Sequence, residues 1–152
     1  MDIVESTSTE FNKPSAIDRF VNRAFGLLVK IGLGLAHNYL LEVRGRKSGR
    51  IYSTPVNLLE RGGKQYLVAP RGYTQWVRNV AANNEAVLVR GSKRRQVSLS
   101  PIKDDAKADI LKEYLERYKT TVQRYFPIEA GSPAEAFQPL AGRYPVFEVL
   151  AR

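Results

Sequence analysis

The spacing of apolar residues changes along this chain, and the changes mark its elements. From position 17 onward Ile17, Phe20, Val21, Ala24, Leu28, Ile31 and Leu35 recur three or four apart, on one face of a predicted helix. Ser15 precedes the run with Asp18 three residues on, close to an N-cap signature. Gly32 and Gly34 weaken its far end, each by about 1 kcal/mol relative to alanine. The polar stretch 1–14, which ends at Pro14, is read as a flexible tail.

Between 38 and 101 the texture shifts to short strands. They are predicted over 39–44 (YLLEVR), 51–59 (IYSTPVNLL), 64–69 (KQYLVA), 86–90 and 96–100, with a last one over 145–150 (PVFEVL). Gly62 with Gly63, and Gly91 with Ser92, mark hairpin turns between them. Pro55 cannot donate to a ladder, so its strand is expected at an edge, at a bulge or beside a ligand. A short helix is predicted over 75–82, turning Trp76, Val77, Val80 and Ala81 inward. A longer amphipathic helix over 104–119 carries Ile110, Leu111, Tyr114, Leu115 and Tyr118 along one stripe. Strands gathered in the middle and helices outside them predict an α+β fold. About six mostly antiparallel strands would form a small barrel or curled sheet, in one domain over 15–152.

Composition narrows the chemistry. The 152 residues contain no cysteine, which excludes thiolate catalysis and cysteine-ligated metal sites. The single histidine, His37, cannot make a metal site alone and reads as structural. No nucleophile elbow, zinc-protease helix, Walker loop or dinucleotide fingerprint is present. A formal net charge of +9 favours anionic partners. The acidic, polar start is unlike a secretory signal, and no apolar run reaches the roughly 18 residues of a membrane span. A cytoplasmic location is expected. Arg19, Arg23 and Lys30 among the apolar residues of 17–36 also suit a helix lying on the inner face of an anionic membrane.

One segment combines the residue types that bind phosphate. In Gly45-Arg46-Lys47-Ser48-Gly49-Arg50, two glycines permit a tight turn that exposes amide N–H groups, and such concave arrays bind anions. Arg46, Lys47 and Arg50 add charge and Ser48 a hydroxyl. A solvated basic hairpin turn accounts for the same residues.

GRKSGR, followed five residues after Arg50 by Pro55, resembles the deazaflavin-dependent nitroreductase and quinone reductase family. The likeness continues through RGGKQYLVA, Gln75-Trp76-Val77-Arg78-Asn79-Val80 and AANNEAVLV, covering roughly 39–101. It implies a split β-barrel that binds the deazaflavin coenzyme F420 and passes a hydride to a quinone-like or nitroaromatic acceptor. It also implies roles for particular positions. Arg46, Lys47, Ser48 and Gly49 would face the cofactor's phosphate and acidic tail. Pro55, Val56 and Asn57 would run beneath the tricyclic ring, with Ala69, Pro70 and Arg71 at ring or linker. Trp76, Val77, Arg78 and Asn79 would close over the site from the short helix. Tyr114, Tyr118 and Tyr125 would line the acceptor's side, although tyrosines at helical spacing also suit a core. The family's best-known branch reaches the tryptophan through a longer, glycine-rich loop containing Asn-Pro, which here is only PRGYTQ.

Hydride transfer asks orientation, electrostatics and water exclusion of a protein, so absent acid–base machinery neither supports nor opposes a reductase. The resemblance further suits a homodimer. FMN presents a similar phosphate and ring, a non-catalytic carrier of deazaflavin, haem or lipid needs the same pocket, and charge alone suits nucleic acid. The last has little to bind with, since Lys93-Arg94-Arg95 is the one other tight basic cluster.

Overall fold

The structure is a computed structural model that describes residues 38–152. The predicted tail, the helix that follows it with its proposed membrane face, and His37 lie outside the described residues. Seven strands are present among the described residues: β1 (Tyr39–Arg44), β2 (Ile51–Val56), β3 (Leu58–Arg61), β4 (Lys64–Val68), β5 (Glu85–Arg90), β6 (Lys93–Pro101) and β7 (Val146–Ala151). The described helices are α1 (Gln75–Ala82), α2 (Ala108–Val122) and α3 (Ala134–Phe137).

All pairings are antiparallel, in the order β2-β1-β5-β6-β7-β4-β3. The two edge strands, β2 and β3, are consecutive in sequence with only Asn57 between them. Both edges of the sheet are therefore tied together at that residue, and the sheet has to curl into a barrel with a seam at Asn57. The seam explains why seven strands replace the predicted six. The apolar run 51–59 is one extended stretch shared between two partners: Val56 pairs with Tyr39 of β1, whereas Leu58 pairs with Leu67 of β4. Pro55 sits in β2, the edge position that a residue lacking an N–H requires.

Alternation along the strands builds two cores. Leu41, Val43, Leu58, Leu67, Leu88, Val97 and Leu99 point into the barrel, where Val77 and Val80 of α1 join them. Leu59, Tyr66 and Val68 point outward and are covered by Ile110, Leu111, Tyr114 and Leu115 of α2 and by Phe126, Phe137 and Tyr144.

Helix α1 has its predicted bounds, but Ala81 is exposed and Asn79 is buried in its stead. The helix predicted over 104–119 divides. Asp104–Ala106 is a 3-10 turn, and α2 runs from Ala108 to Val122 with non-helical angles at Tyr118 (φ −115°, ψ 25°). Lys107 separates the two pieces. It is 3% exposed, with its ammonium 2.8 Å from the Asp104 carboxylate and 3.0 Å from the Ala141 carbonyl. That pair of contacts fixes the 3-10 turn against the segment before β7. The basic cluster Lys93-Arg94-Arg95 belongs to β6 and forms no separate patch; Arg94 reaches Glu42 at 2.7 Å, and this contact holds its guanidinium above the usual range.

Candidate cofactor and acceptor site

The basic turn 45–50 closes the β1–β2 hairpin. The Gly45 amide donates to the Arg50 carbonyl at 2.7 Å and the Gly49 amide to the Gly45 carbonyl at 3.0 Å. Gly49 adopts φ +76°, a left-handed value that favours glycine. A Cβ on Gly45 would lie 2.5 Å from the Tyr52 ring, so glycine lets that ring lie across the turn. Ser48 Oγ accepts the Arg50 amide at 3.1 Å and lies 3.2 Å from the Tyr52 hydroxyl.

Arg46 is fastened to α1. Asn79 is 2% exposed, and its Oδ1 accepts both the Arg46 amide at 3.0 Å and the Arg46 guanidinium at 2.8 Å. The same guanidinium donates to Gln75 Oε1 at 3.1 Å. Asn79 and Arg46 thus join the turn to the helix. The amides of Lys47 and Ser48 have no partner among the described residues, nor does the Lys47 ammonium or the Arg50 guanidinium. No acidic residue lies between Glu42 and Glu60. Two open amides and two cations without a partner among the described residues are the donor set that an oxyanion needs.

Of the residues expected around a ring, Val56, Ala69 and Val77 have their side chains in the barrel core. Trp76 packs against that core with its ring 5.7 Å from Phe147, anchoring α1. Pro70 and Arg71 form a turn closed by the Gly72 amide on the Ala69 carbonyl at 3.1 Å, and Arg78 Nε donates to the Tyr73 carbonyl at 3.0 Å. Pro55 is half-buried on the open edge. Asn57, at the seam, is 3% exposed, and its Oδ1 has no hydrogen-bond partner. A buried orphan acceptor costs about 1–3 kcal/mol, which a ligand donor at the seam would recover.

The three tyrosines diverge. Tyr114 is buried, and burial pushes its phenol well above the ordinary value, an effect partly opposed by the Asn57 carboxamide. Its ring lies 5.3 Å from that of Tyr118. Tyr118 donates to the Leu58 carbonyl and accepts from Asn38 Nδ2 at 3.1 Å; burial raises its pKa too, partly offset by that Asn38 bond. Tyr125 lies apart. Its hydroxyl accepts from Arg124 at 2.7 Å, and its carbonyl accepts the Tyr144 hydroxyl at 2.6 Å. A raised pKa means that the folded phenol stays protonated where the unfolded one, with a pKa near 10, ionises. Stability should be insensitive to Tyr114 below pH 10 and should fall as pH rises beyond it. Denaturant unfolding at rising alkaline pH, repeated on Tyr114→Phe, checks this; an equal slope in the variant would assign the loss elsewhere.

Beside Tyr118 a cavity of about 270 Å³ opens at the seam, lined also by Asn38, Tyr39, Glu60, Arg90 and Arg117. Asn38 occupies the split as a strand residue would, accepting the Leu58 amide at 2.7 Å and donating to the Leu58 carbonyl at 3.3 Å. Apart from Tyr118, none of these residues stands out in the sequence. Arg90 meets Tyr39 through the β1–β5 register, and Arg117 arrives on α2. Among the described residues no three His, Cys, Asp or Glu side chains converge as a metal site. No described helix is long and apolar enough to cross a membrane.

The curled antiparallel sheet with its few helices is a split barrel. A family model described as F420H(2)-dependent quinone reductase matches residues 18–128, and the chain belongs to that family. No curated protein matches. Among solved structures the fold is similar to a protein of unknown function from Agrobacterium tumefaciens, 16% identical over 74% of this chain and 47% of that one, with a TM-score of 0.53. This chain therefore spans about half the length of the Agrobacterium protein. It is also similar to HutZ, the heme storage protein from Vibrio cholerae, 9% identical over 86% of this chain and 87% of that one, TM-score 0.52. An F420-H2 dependent reductase (FDR-A) is 23% identical over 73% of this chain and 91% of its own, TM-score 0.48.

Proposed function

We propose that this protein is a reductase that binds F420 along β2 and passes its hydride to a quinone-like or nitroaromatic acceptor at the seam. The observation that carries the reading is the pair of amides at Lys47 and Ser48, open among the described residues, with Lys47 and Arg50 beside them and no acidic residue between Glu42 and Glu60 in the sequence. From Ile51 to Val56, β2 runs about 17 Å from that turn to the seam. Ile51 and Ser53 are exposed, and Tyr52, Thr54 and Pro55 are half-buried, so neither face of the strand is fully buried before Val56. A ligand with phosphate at one end and a flat ring at the other would cover this strip.

When bound, the reduced deazaflavin supplies the hydride. Lys47 and the turn amides hold the phosphate, and Arg46 and Asn79 keep the turn in place. Asn57 Oδ1 offers an acceptor for a donor group at the ring end. Tyr118 commits its proton to the Leu58 carbonyl, so the proton that completes reduction comes from solvent, which the open cavity admits. The family's description names F420H(2), which favours the deazaflavin over FMN.

Titration with oxidised F420 tests the reading. Lys47→Ala should weaken binding about tenfold, the value of one charge-assisted contact. Unchanged affinity would remove the phosphate from the turn. Following loss of the reduced deazaflavin's absorbance with menadione or a nitroaromatic separates reductase from carrier; tight binding without turnover of either would support the carrier.

A further inference from the structure

Beside the cavity the neutral polar groups Asn38 and Tyr118 are bonded to each other and to Leu58. Asn38 uses both ends of its carboxamide on Leu58, and Tyr118 donates to the Leu58 carbonyl. What remains directed to the cavity is charge: the guanidinium groups of Arg90 and Arg117 and the carboxylate of Glu60. Arg90 donates through one nitrogen to the Asn38 carbonyl and lies 5.8 Å over the Tyr39 ring, so most of its five N–H groups are uncommitted. Arg117 has one acidic partner, Glu113 at 3.4 Å, and Glu113 is held more closely by Arg61 at 2.9 Å. Glu60 accepts from Gln65 at 3.1 Å and pairs with neither cavity arginine.

Two cations against one carboxylate, with surplus N–H donors in fork geometry, select a monoanion such as a carboxylate. Tyr39, Tyr118 and Leu58 complete a lining in which the apolar part, two aromatic side chains among it, is the smaller. A volume of about 270 Å³ leaves room for a single substituted ring. A lipid quinone would place hydrocarbon against two guanidinium groups, which is costly.

We infer that the seam cavity takes a single-ring aromatic carboxylate, gripped by Arg117 and Arg90. As a ligand it stands on the cavity alone; as the acceptor it rests on the reductase reading above. Reduction of a quinone carboxylate there adds one hydride, from the reduced deazaflavin, and one proton, from solvent. The product is the hydroquinone, and the oxidised cofactor returns one proton to solvent.

Binding of 4-nitrobenzoate, followed by calorimetry on the full chain without cofactor, tests the site. The carboxylate should bind at least tenfold tighter than its neutral analogue 4-nitrobenzamide. Arg117→Gln should erase that preference and leave amide binding unchanged. Arg117 is half exposed on α2, so thermal unfolding of the variant should match wild type. Equal affinity for the two probes, no binding of either, or an unaltered preference in Arg117→Gln would overturn the inference. So would loss of carboxylate binding in Lys47→Ala with Arg117→Gln unaffected, because the anion would then sit at the basic turn. Failure of F420 binding with the carboxylate preference intact would sink the reductase reading and leave this site standing.

Discussion

Replacing Asn79 by alanine is expected to weaken F420 binding by about tenfold or more and to lower unfolding stability by about 1–3 kcal/mol. The stability loss follows from hydrogen-bond accounting. Asn79 is almost fully buried, and its Oδ1 is the acceptor for both the amide and the guanidinium of Arg46. Alanine leaves that amide without its partner and releases one of the two α1 contacts that hold the arginine. The affinity loss follows from order. The Lys47 and Ser48 amides bind an anion only while they point together, and the residue before them is fixed by this clip. Asn79→Asp separates the two effects. Its carboxylate can accept the same bonds, so the fold should hold, while the added negative charge opposes an anion at the turn. Weakened binding with near-normal stability is expected for Asp, and the deficit should shrink as salt rises. If both variants bind F420 as wild type does, the turn's order has no part in cofactor affinity.

The clip also shows why only part of this site could be read from the sequence. The basic turn was legible because its charge and glycines are contiguous. The partner that fixes Arg46 is 33 residues away on another element. Period-two alternation located most strands, and the apolar spacing set α1 within its observed bounds. The seam was hidden by the same alternation, since 51–59 reads as one strand; only pairing with β1 on one side and β4 on the other divides it at Asn57. The cavity depends wholly on that closure. Asn38, Glu60, Arg90 and Arg117 read as polar surface until the register brings them around Tyr118. Lys107 misleads for a related reason. A lysine in a charged stretch looks solvated, yet Asp104 and the Ala141 carbonyl satisfy it in the interior.

Phe137→Ala should have the largest effect on stability, a loss of about 3–5 kcal/mol against a typical total of 5–15 kcal/mol. Phe137 is 0% exposed and lies in the outer core, where its ring meets Phe126 edge-on at 6.3 Å and Phe126 stacks on Tyr144 at 4.4 Å. The segment that carries it shows no helical or strand period, and α3 is only four residues long without a side-chain N-cap. Local propensity cannot hold so short a helix, so packing of the aromatic residues has to. That layer sits behind α2, and α2 carries Tyr118 and Arg117 to the seam. The variant should therefore lose 4-nitrobenzoate affinity under conditions where most of it remains folded. Binding at the turn should suffer less, because Arg46 and Asn79 are secured from the opposite side by α1. Denaturant unfolding with both ligand titrations reads the three quantities together. A stability loss below about 1 kcal/mol would mean that the outer layer yields independently of the barrel. The seam would then owe its shape to β3 and Asn38 rather than to the helix packed behind it.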